Sequence, residues 1–248
     1  MIEDYNRYEM ARREKLTVVC GLAVMMAFAG YIFYGTLLFC LLLPFVYKPG
    51  MKAYCGFRVR RRKNQLLIQF RDLLFSLSAS FAAGRHMEEA MEEARENLEE
   101  LYGSRGLMAG ELEHMLRSIQ ETGEGEVELW QSFARRSGLE DAADFTQVFS
   151  ACRETGGNLI QAVNKAASVI GEKIAVEMEI RTIVSQKKLE GRIITAMPAI
   201  IVVFLQAVSP DYLEVMYVTF GGRILMSLAL FAMAGAYVMI ERITDIEV

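Results

Sequence analysis

Hydrophobic and polar residues are segregated along this chain into uncharged runs near the two ends and a charged middle. No charged residue occurs in segments 17–47, 193–210 and 224–240. A membrane-spanning helix needs about 20 apolar residues, with a range of about 17 to 25, so each of the two C-terminal segments predicts one span. Residues 58–190, in contrast, are rich in Glu, Lys and Arg. The pattern predicts a polytopic membrane protein with a charged insert between its membrane segments.

The first uncharged run, residues 17–47, is too long for one upright span. As a single helix it would be roughly 46 Å long, against a hydrocarbon core of roughly 30 Å. It therefore forms either one long tilted span or a hairpin of two short spans that turns near residues 30–35. Because Lys and Arg collect on the cytoplasmic side, basic residues at both ends of the run favour the hairpin. These residues are Arg7, Arg12, Arg13 and Lys15 before the run, and Lys48, Lys52, Arg58, Arg60, Arg61, Arg62 and Lys63 after it.

The same charge rule orients the C-terminal pair of spans. Lys187, Lys188 and Arg192 precede the pair, whereas the connection between its two spans carries Asp211 and Glu214. This distribution places the connection outside, and it places the charged insert and both termini in the cytoplasm. The basic collar formed by Arg58, Arg60, Arg61, Arg62 and Lys63 then lies next to the membrane, where it suits lipid headgroups better than nucleic acid.

The insert shows the three- and four-residue apolar spacing of helices and contains no proline. The predicted helices cover residues 65–83, 87–101, 107–120, 127–136, 139–154 and 158–188. The gaps between them are short, which makes neighbouring helices antiparallel. We therefore predict an all-α fold in which a cytoplasmic antiparallel helical bundle lies between transmembrane segments. The predicted domains are the N-terminal membrane hairpin or long span with its basic collar, the helical domain, and two C-terminal transmembrane helices with a short cytoplasmic tail: 1–63, 64–190 and 191–248.

Two of the gaps contain distinctive glycines. Gly84 follows the first helix of the insert, and Gly156 and Gly157 lie between two strongly helical stretches, where each costs about 1 kcal/mol relative to Ala if placed in a helix interior. A glycine just past a helix end can adopt the left-handed conformation that closes the helix, and Asn158 is a good N-cap for the next one. We therefore predict that TGGN, residues 155–158, is a helix stop followed by a helix start.

The helix at 87–101 carries a row of glutamates opposite its apolar stripe. Such a row is most often a solvated surface, and without a histidine partner it does not predict a metal site. The alternative is an acidic docking face for a basic partner. Its residues are Glu88, Glu89, Glu92, Glu93 and Glu96.

The sequence offers little for catalysis. The only histidines, His86 and His114, have no second ligand at zinc-binding spacing, and neither a phosphate-binding P-loop nor a G-x-S-x-G motif occurs. The uncharged runs also lack the ionisable residues that line ion and substrate paths, which disfavours a transporter. We predict a protein that is not an enzyme, with no catalytic residue, no cofactor and no bound metal.

Several stretches of this sequence resemble one known family. They are QFRDLLFSLSASFAAGRHMEEAM at 69–91, ACRETGGNLIQAVNKAASVI at 151–170, and the C-terminal stretches that begin with LEGRIITAMPAIIVV, SPDYLEVMY and GGRILMSLAL. These resemble the protein F domain of type II secretion systems, in the version found in the TadB and TadC proteins of Tad/Flp pilus systems. The likeness covers about residues 60–248, and the TGGN turn is its most specific element.

This resemblance implies a non-enzymatic platform in the bacterial inner membrane. Its expected partners are a cytoplasmic secretion ATPase on the helical domain, pilin subunits on the membrane part, a second F-domain protein and membrane lipid, in a homo- or hetero-oligomer. A membrane-anchored adaptor or signalling protein has the same gross layout and is the main alternative. A small-molecule transporter is the less favoured one.

Overall fold

The computed structural model describes residues 5–6, 10, 12–34, 43–103, 106–155 and 157–244, which contain α-helices and no strand. This confirms the predicted all-α fold. The helices are α1 Arg12–Tyr34, α2 Leu43–Ala82, α3 Met87–Tyr102, α4 Leu107–Thr122, α5 Glu126–Ser137, α6 Glu140–Thr155, α7 Leu159–Val208, α8 Pro210–Val218 and α9 Phe220–Thr244.

Contacts divide the chain into two compact units. The helical unit combines the N-terminal residues 5–6 with Tyr54–Val176, and the membrane unit combines Met10–Ala53 with Glu177–Val248. Helices α2 and α7 each pass from one unit into the other without interruption. The division describes packing, so the domain boundaries at 63/64 and 190/191 stay predictions.

The helical unit has one core centred on Phe70 of α2, which is fully buried. Its ring centroid lies 5.6 Å from that of Phe145 on α6 and 5.7 Å from that of Phe133 on α5. Trp130 of α5 joins the cluster with edge-on contacts to the same two rings at 5.3 and 6.0 Å. Such aromatic pairs contribute about 0.5–1.5 kcal/mol beyond their area burial. Rings from α2, α5 and α6 therefore meet at the centre of this core.

The predicted helices between residues 87 and 154 agree with α3 to α6 within two residues at each end. The predicted helix 65–83 is the C-terminal half of the longer α2, and the predicted helix 158–188 is the first part of α7. Leu101 of α3 and Val148 of α6 are apolar, yet their side chains are 67% and 47% exposed.

The membrane unit contains the apolar helices. Among the described residues, two helices are long and apolar enough to cross a membrane, Leu159–Val208 and Phe220–Ile243. They approach each other at Gly191 of α7, where an added Cβ would lie 3.0 Å from Cγ2 of Ile240. The connection between them is not a simple loop, because it contains α8, whose Leu213 is buried.

The N-terminal run forms parts of two helices. Helix α1 continues through residues 30–34, where the start of a turn was expected, and α2 begins at Leu43. Residues 35–42 lie outside the described residues, so the turn itself is untested. An added Cβ at Gly50 of α2 would lie 3.0 Å from Cδ1 of Leu22 on α1, so the two helices pack closely.

Candidate docking surface and turn motifs

The glutamates of the predicted acidic face lie on α3. Its residues Glu88, Glu89, Glu92 and Glu96 are exposed. Glu92 is not free, because Arg95 donates to its Oε1 at 2.6 Å and reaches Glu99 at 2.7 Å on the next turn. The hydrogen bond to Glu92 is the main reason that the pKa of Arg95 is raised. The same guanidinium lies 3.9 Å from Glu96, so the part of the face that Arg95 does not pair with is formed by Glu88 and Glu89.

Glu93 differs from the other glutamates of this face because it points towards α2. The Arg85 guanidinium lies 2.8 Å from its Oε2. Together these two residues line a groove of about 430 Å³ between α2 and α3. The structure thus places Glu93 at the rim of a groove and not on the open face.

Asp72 and Tyr102 belong to the same side of α2 and α3. The Tyr102 hydroxyl donates a hydrogen bond to Asp72, which is also paired with Arg71 at 2.7 Å. Burial and then the Asp72 carboxylate raise the pKa of Tyr102 to about 12. Tyr102 is therefore a protonated hydrogen-bond donor at physiological pH, and it ties the C-terminal end of α3 to α2.

Gly84 closes the C-terminal end of α2. Its φ is +80°, and its N–H donates to the Phe81 carbonyl at 2.9 Å. The N–H of Arg85 donates to the Ser80 carbonyl at 3.1 Å, which completes the hydrogen-bond pair of a Schellman motif. No atom lies within 4 Å of an added Cβ at this position. Glycine is therefore favoured here by backbone conformation and not by lack of space.

The TGGN segment also stops one helix and starts another. The Gly157 N–H donates to the Cys152 carbonyl at 3.0 Å, which is the six-to-one bond of the same helix-closing motif. The Asn158 side-chain oxygen accepts a hydrogen bond from the Gln161 N–H at 3.2 Å, so Asn158 is the N-cap of α7. Gly157 does not have positive φ, and Gly156 lies outside the described residues.

The basic collar lies within α2 and makes contacts inside the protein that the sequence did not indicate. Arg62 stacks on the Tyr5 ring, with its guanidinium carbon 4.6 Å from the ring centroid. Lys63 donates to the Gly138 carbonyl, just past the end of α5, at 3.2 Å. Arg60 and Arg61 are exposed, and Arg58 is half-buried. At least two of the five collar residues thus hold the helical unit together.

A buried polar cluster was missed by the sequence analysis. Glu111 of α4 accepts two hydrogen bonds from Arg136 of α5, at 2.9 and 2.7 Å, and a third from the Tyr5 hydroxyl at 2.9 Å. We call the site formed by Glu111, Arg136 and Arg62 the Tyr5 socket. The available signal was Glu111 itself, a charged residue within the apolar stripe of α4. Its partner Tyr5 lies 106 positions away and has no local pattern.

The membrane-proximal ends of α7 and α9 are joined by charge. Arg192 lies 3.7 Å from Glu241, and both side chains are at least half exposed. At the other end of the pair, the Arg223 side chain donates to the Tyr217 carbonyl at 2.7 Å and so holds α8 against α9.

Within the part of the chain that the structure describes, no three His, Cys, Asp or Glu side chains converge on a possible metal site. The absence of a cofactor stays a prediction.

A family model described as type II secretion system (T2SS), protein F, matches residues 73–207, more than half of the chain. No match was found among curated proteins or among solved structures. The matched range begins in α2 and ends in α7, so it contains both turn motifs and the acidic face, whereas α8 and α9 lie outside it. Proteins of this family are non-catalytic membrane platforms that work with secretion ATPases and other components of the machinery. The chain belongs to the type II secretion system protein F family.

Proposed function

We propose that this protein is the inner-membrane platform of a Tad-type pilus or related secretion machine, and that it couples a cytoplasmic ATPase to pilin extraction and assembly. The observation that supports this best is α7, a single helix of 50 residues. At about 1.5 Å per residue it is roughly 75 Å long. Its last part is apolar enough to span a membrane, and its first part is anchored in the bundle core by Val163, Ala167, Ile170 and Ile174.

This continuity supports mechanical coupling. A core helix that is packed on one face moves with its bundle, because interiors are close-packed and transmit strain. The same helix continues into the apolar segment with no break in its hydrogen-bonded backbone, apart from the donor that Pro198 lacks. Force applied to the bundle would therefore reach the bilayer along one element.

The acidic face is the proposed contact for the ATPase. Glu88, Glu89, Glu92 and Glu96 present carboxylates on one side of α3, and Glu93 continues the face into the groove beside α2. Such a surface is complementary to a basic patch, which would steer association and fix its register.

The exposed apolar surfaces of the membrane unit are the proposed contacts for lipid, pilin and a second F-domain protein. Phe204 of α7 and Phe231 of α9 are 62% and 78% exposed. Many other large apolar side chains of α7 and α9 are exposed with them, and apolar surface of this extent is typical of a surface that lipid or another apolar helix covers.

We further propose that the helical unit and both termini are cytoplasmic. Lys187, Lys188 and Arg192 lie at one end of the α7 span, and Asp211 of α8 lies at the other. Labelling single cysteines in intact cells with a membrane-impermeant maleimide tests this topology. The Asp211→Cys variant should react, and the Glu96→Cys variant should react only after permeabilisation.

The platform role is tested by isolating the C-terminally tagged protein from detergent-solubilised native membranes and identifying its partners by mass spectrometry. Recovery of a secretion ATPase with pilin or a second F-domain protein is expected. Recovery of none of these with intact, abundant protein would contradict the proposal and favour an adaptor function.

The docking face is tested by reversing charge in that assay. Glu89→Lys with Glu96→Lys should reduce ATPase recovery at least tenfold. The control is Glu121→Lys with Glu124→Lys, at the end of α4, which should leave recovery unchanged. Because Glu89 lies in the first turn of α3, its reversal also costs about 0.3–1 kcal/mol through the helix dipole, so the melting temperature of both variants must be compared. Equal ATPase recovery from both variants would show that the acidic face is not the docking site.

A further inference from the structure

We propose that the Tyr5 socket is a docking site for the chain's own N-terminal segment, and that Tyr5 anchors this segment to the helical bundle as a third connection between bundle and membrane. The other two connections, α2 and α7, are continuous helices. The inference goes beyond the proposed function and does not depend on it.

The Tyr5 side chain fits the socket on all sides. It is 3% exposed, its hydroxyl donates to Glu111 Oε1 at 2.9 Å, and the Arg62 guanidinium covers its ring at 4.6 Å. A cation over an aromatic ring contributes about 0.5–1 kcal/mol when exposed and about 2 when desolvated. Ring, hydroxyl and cation contacts together make this a specific site for tyrosine.

Glu111 gives the docked hydroxyl a role in stability. Its carboxylate is 7% exposed and forms a two-point ion pair with Arg136. A buried carboxylate is costly unless its remaining lone pairs are satisfied, and the Tyr5 hydroxyl satisfies one of them. Burial, followed by the Glu111 charge, raises the pKa of Tyr5, so the phenol keeps its proton and donates at physiological pH.

The backbone next to Tyr5 completes the end of α5. The last carbonyls of a helix have no partner within it. The carbonyl of Arg136, in the last turn of α5, accepts hydrogen bonds from the Tyr5 N–H and from the Asn6 side-chain amide, both at 3.2 Å. The Gly138 carbonyl accepts from Lys63 at 3.2 Å. The N-terminal segment therefore acts as a C-cap supplied by a distant part of the chain.

Docking restrains the first membrane helix through a short linker. Only residues 7–11 separate Asn6 from the first residue of α1. A linker of this length spans at most roughly 20 Å, since an extended chain covers about 3.3–3.6 Å per residue. A bundle that holds Tyr5 therefore also restrains the start of α1.

The test is a chemical cross-link between a cysteine introduced at position 6 and the Lys63 side chain, two positions that meet when the N-terminal segment is docked. The background is the full-length protein in detergent with its cysteines replaced by serine: Cys20, Cys40, Cys55 and Cys152. Asn6→Cys is added and treated with a short maleimide–succinimidyl ester reagent, and tryptic peptides are analysed by mass spectrometry. An added Cβ at Gly138 would collide with Asn6 Oδ1 and would lie 2.7 Å from Lys63 Nζ, so positions 6 and 63 meet at one point. A link between the introduced cysteine and Lys63 within one polypeptide is expected.

The variants decide whether Tyr5 is the anchor. Tyr5→Ala should lower the yield of this link at least tenfold. Tyr5→Phe keeps the ring and loses only the hydroxyl, so its yield should fall less. Arg62→Ala leaves the Glu111–Arg136 pair intact and should also lower the yield. The fluorescence of Trp130 establishes that each variant has a folded bundle.

Three results would overturn the proposal. A yield that does not change in Tyr5→Ala would mean that Tyr5 is not the anchor. Absence of the link in the parent protein would mean that the segment does not dock. A link recovered only in covalent dimers would mean that the socket takes the N-terminal segment of a second copy.

Discussion

The two units of this protein place the same kinds of side chain in opposite environments. In the helical unit Phe70 is fully buried against other rings, whereas in the membrane unit Phe231 is 78% exposed. Burial of a large apolar side chain away from water contributes about 1.5–3 kcal/mol. The helical unit therefore carries its own source of stability, and the membrane unit depends on the lipid or protein that covers it.

The polar contacts show the same contrast. The helical unit contains a buried hydrogen-bonded cluster around Glu111, which joins three distant segments of the chain. The membrane unit instead brings helices together at a small residue, with Gly191 against Ile240, and its ion pair between α7 and α9, Arg192–Glu241, is at least half exposed. Bilayers favour this arrangement, because small residues permit close packing where there is no hydrophobic driving force between helices.

The largest difference in stability between matched changes in the two units is expected when the ring at the centre of the bundle core is removed. Phe70→Ala should lower the free energy of unfolding of the helical unit by about 3–5 kcal/mol, through lost burial and the cavity that remains. Phe231→Ala is the matched change in the membrane unit, and it should leave that free energy within about 0.5 kcal/mol of the parent value. Urea denaturation followed by Trp130 fluorescence measures this, because Trp130 is the only tryptophan and contacts Phe70. Similar losses in both variants would contradict the separate stability of the two units.

The contact between α7 and α9 provides the opposite test, in which the membrane unit should lose stability and the helical unit should not. Gly191→Leu places a side chain where Ile240 already lies, and overpacking of this kind costs about 1–3 kcal/mol. Gly235→Leu in α9 is the control, since no atom lies within 4 Å of an added Cβ there. In detergent, the melting transition seen by circular dichroism should fall for Gly191→Leu, and the transition seen by Trp130 fluorescence should not. A shift of both transitions would show that the units unfold together.

The sequence predicted the helices of the bundle well because their boundaries are local. Apolar spacing defined α3 to α6, and Gly84 and Asn158 defined two of the junctions. The sequence underestimated the lengths of α2 and α7, because a helix can continue where the polarity of its residues changes. Pro49 and Gly50 look like breakers, since Pro costs about 3 kcal/mol and Gly about 1 kcal/mol in a helix interior, yet α2 continues through both. The charged residues near 187–192 interrupt the apolar pattern of α7 without interrupting its backbone.

The candidate site was only partly predictable, for a related reason. The exposure of Glu88, Glu89 and Glu96 follows from helical periodicity alone. The turn of Glu93 towards Arg85, and the position of Arg62 over the Tyr5 ring, depend on which helices become neighbours. Contacts between residues more than 50 positions apart leave no spacing in the sequence, so the Tyr5 socket could be found only in the folded chain.

A smaller effect is expected at the N-cap of α7, the helix that both units share. Asn158→Ala removes the acceptor of the Gln161 N–H and should cost about 1 kcal/mol of helical-unit stability. Asn164→Ala is the control, because it places a better helix former at an exposed interior position of the same helix and should be neutral or slightly stabilising. Urea denaturation with Trp130 fluorescence distinguishes them. Equal stability of the two variants would show that the cap does not stabilise α7.

The smallest effect concerns Glu126, the first residue of α5, where a carboxylate is partly buried. Burial raises its pKa above the ordinary value of 4.5, Glu88 raises it further, and Arg153 opposes both. The folded protein therefore holds this proton more tightly than the unfolded chain does. The stability linked to Glu126 is fully present below the ordinary pKa and is lost as the pH rises through the raised pKa.

Glu126→Gln cannot release this proton, so its stability relative to the parent should increase as the pH rises from about 4 to 7. Glu88→Gln removes the like charge and should reduce the pH dependence without abolishing it. Urea denaturation followed by Trp130 fluorescence at a series of pH values gives the difference in stability between each variant and the parent. The contributions of the other titrating groups cancel in this difference. A difference that does not vary with pH would mean that Glu126 titrates as it does in the unfolded chain. Burial of the Glu126 carboxylate at the start of α5 would then cost no free energy. The helical unit would therefore tolerate a charge at its edge as readily as the exposed ends of the membrane helices do.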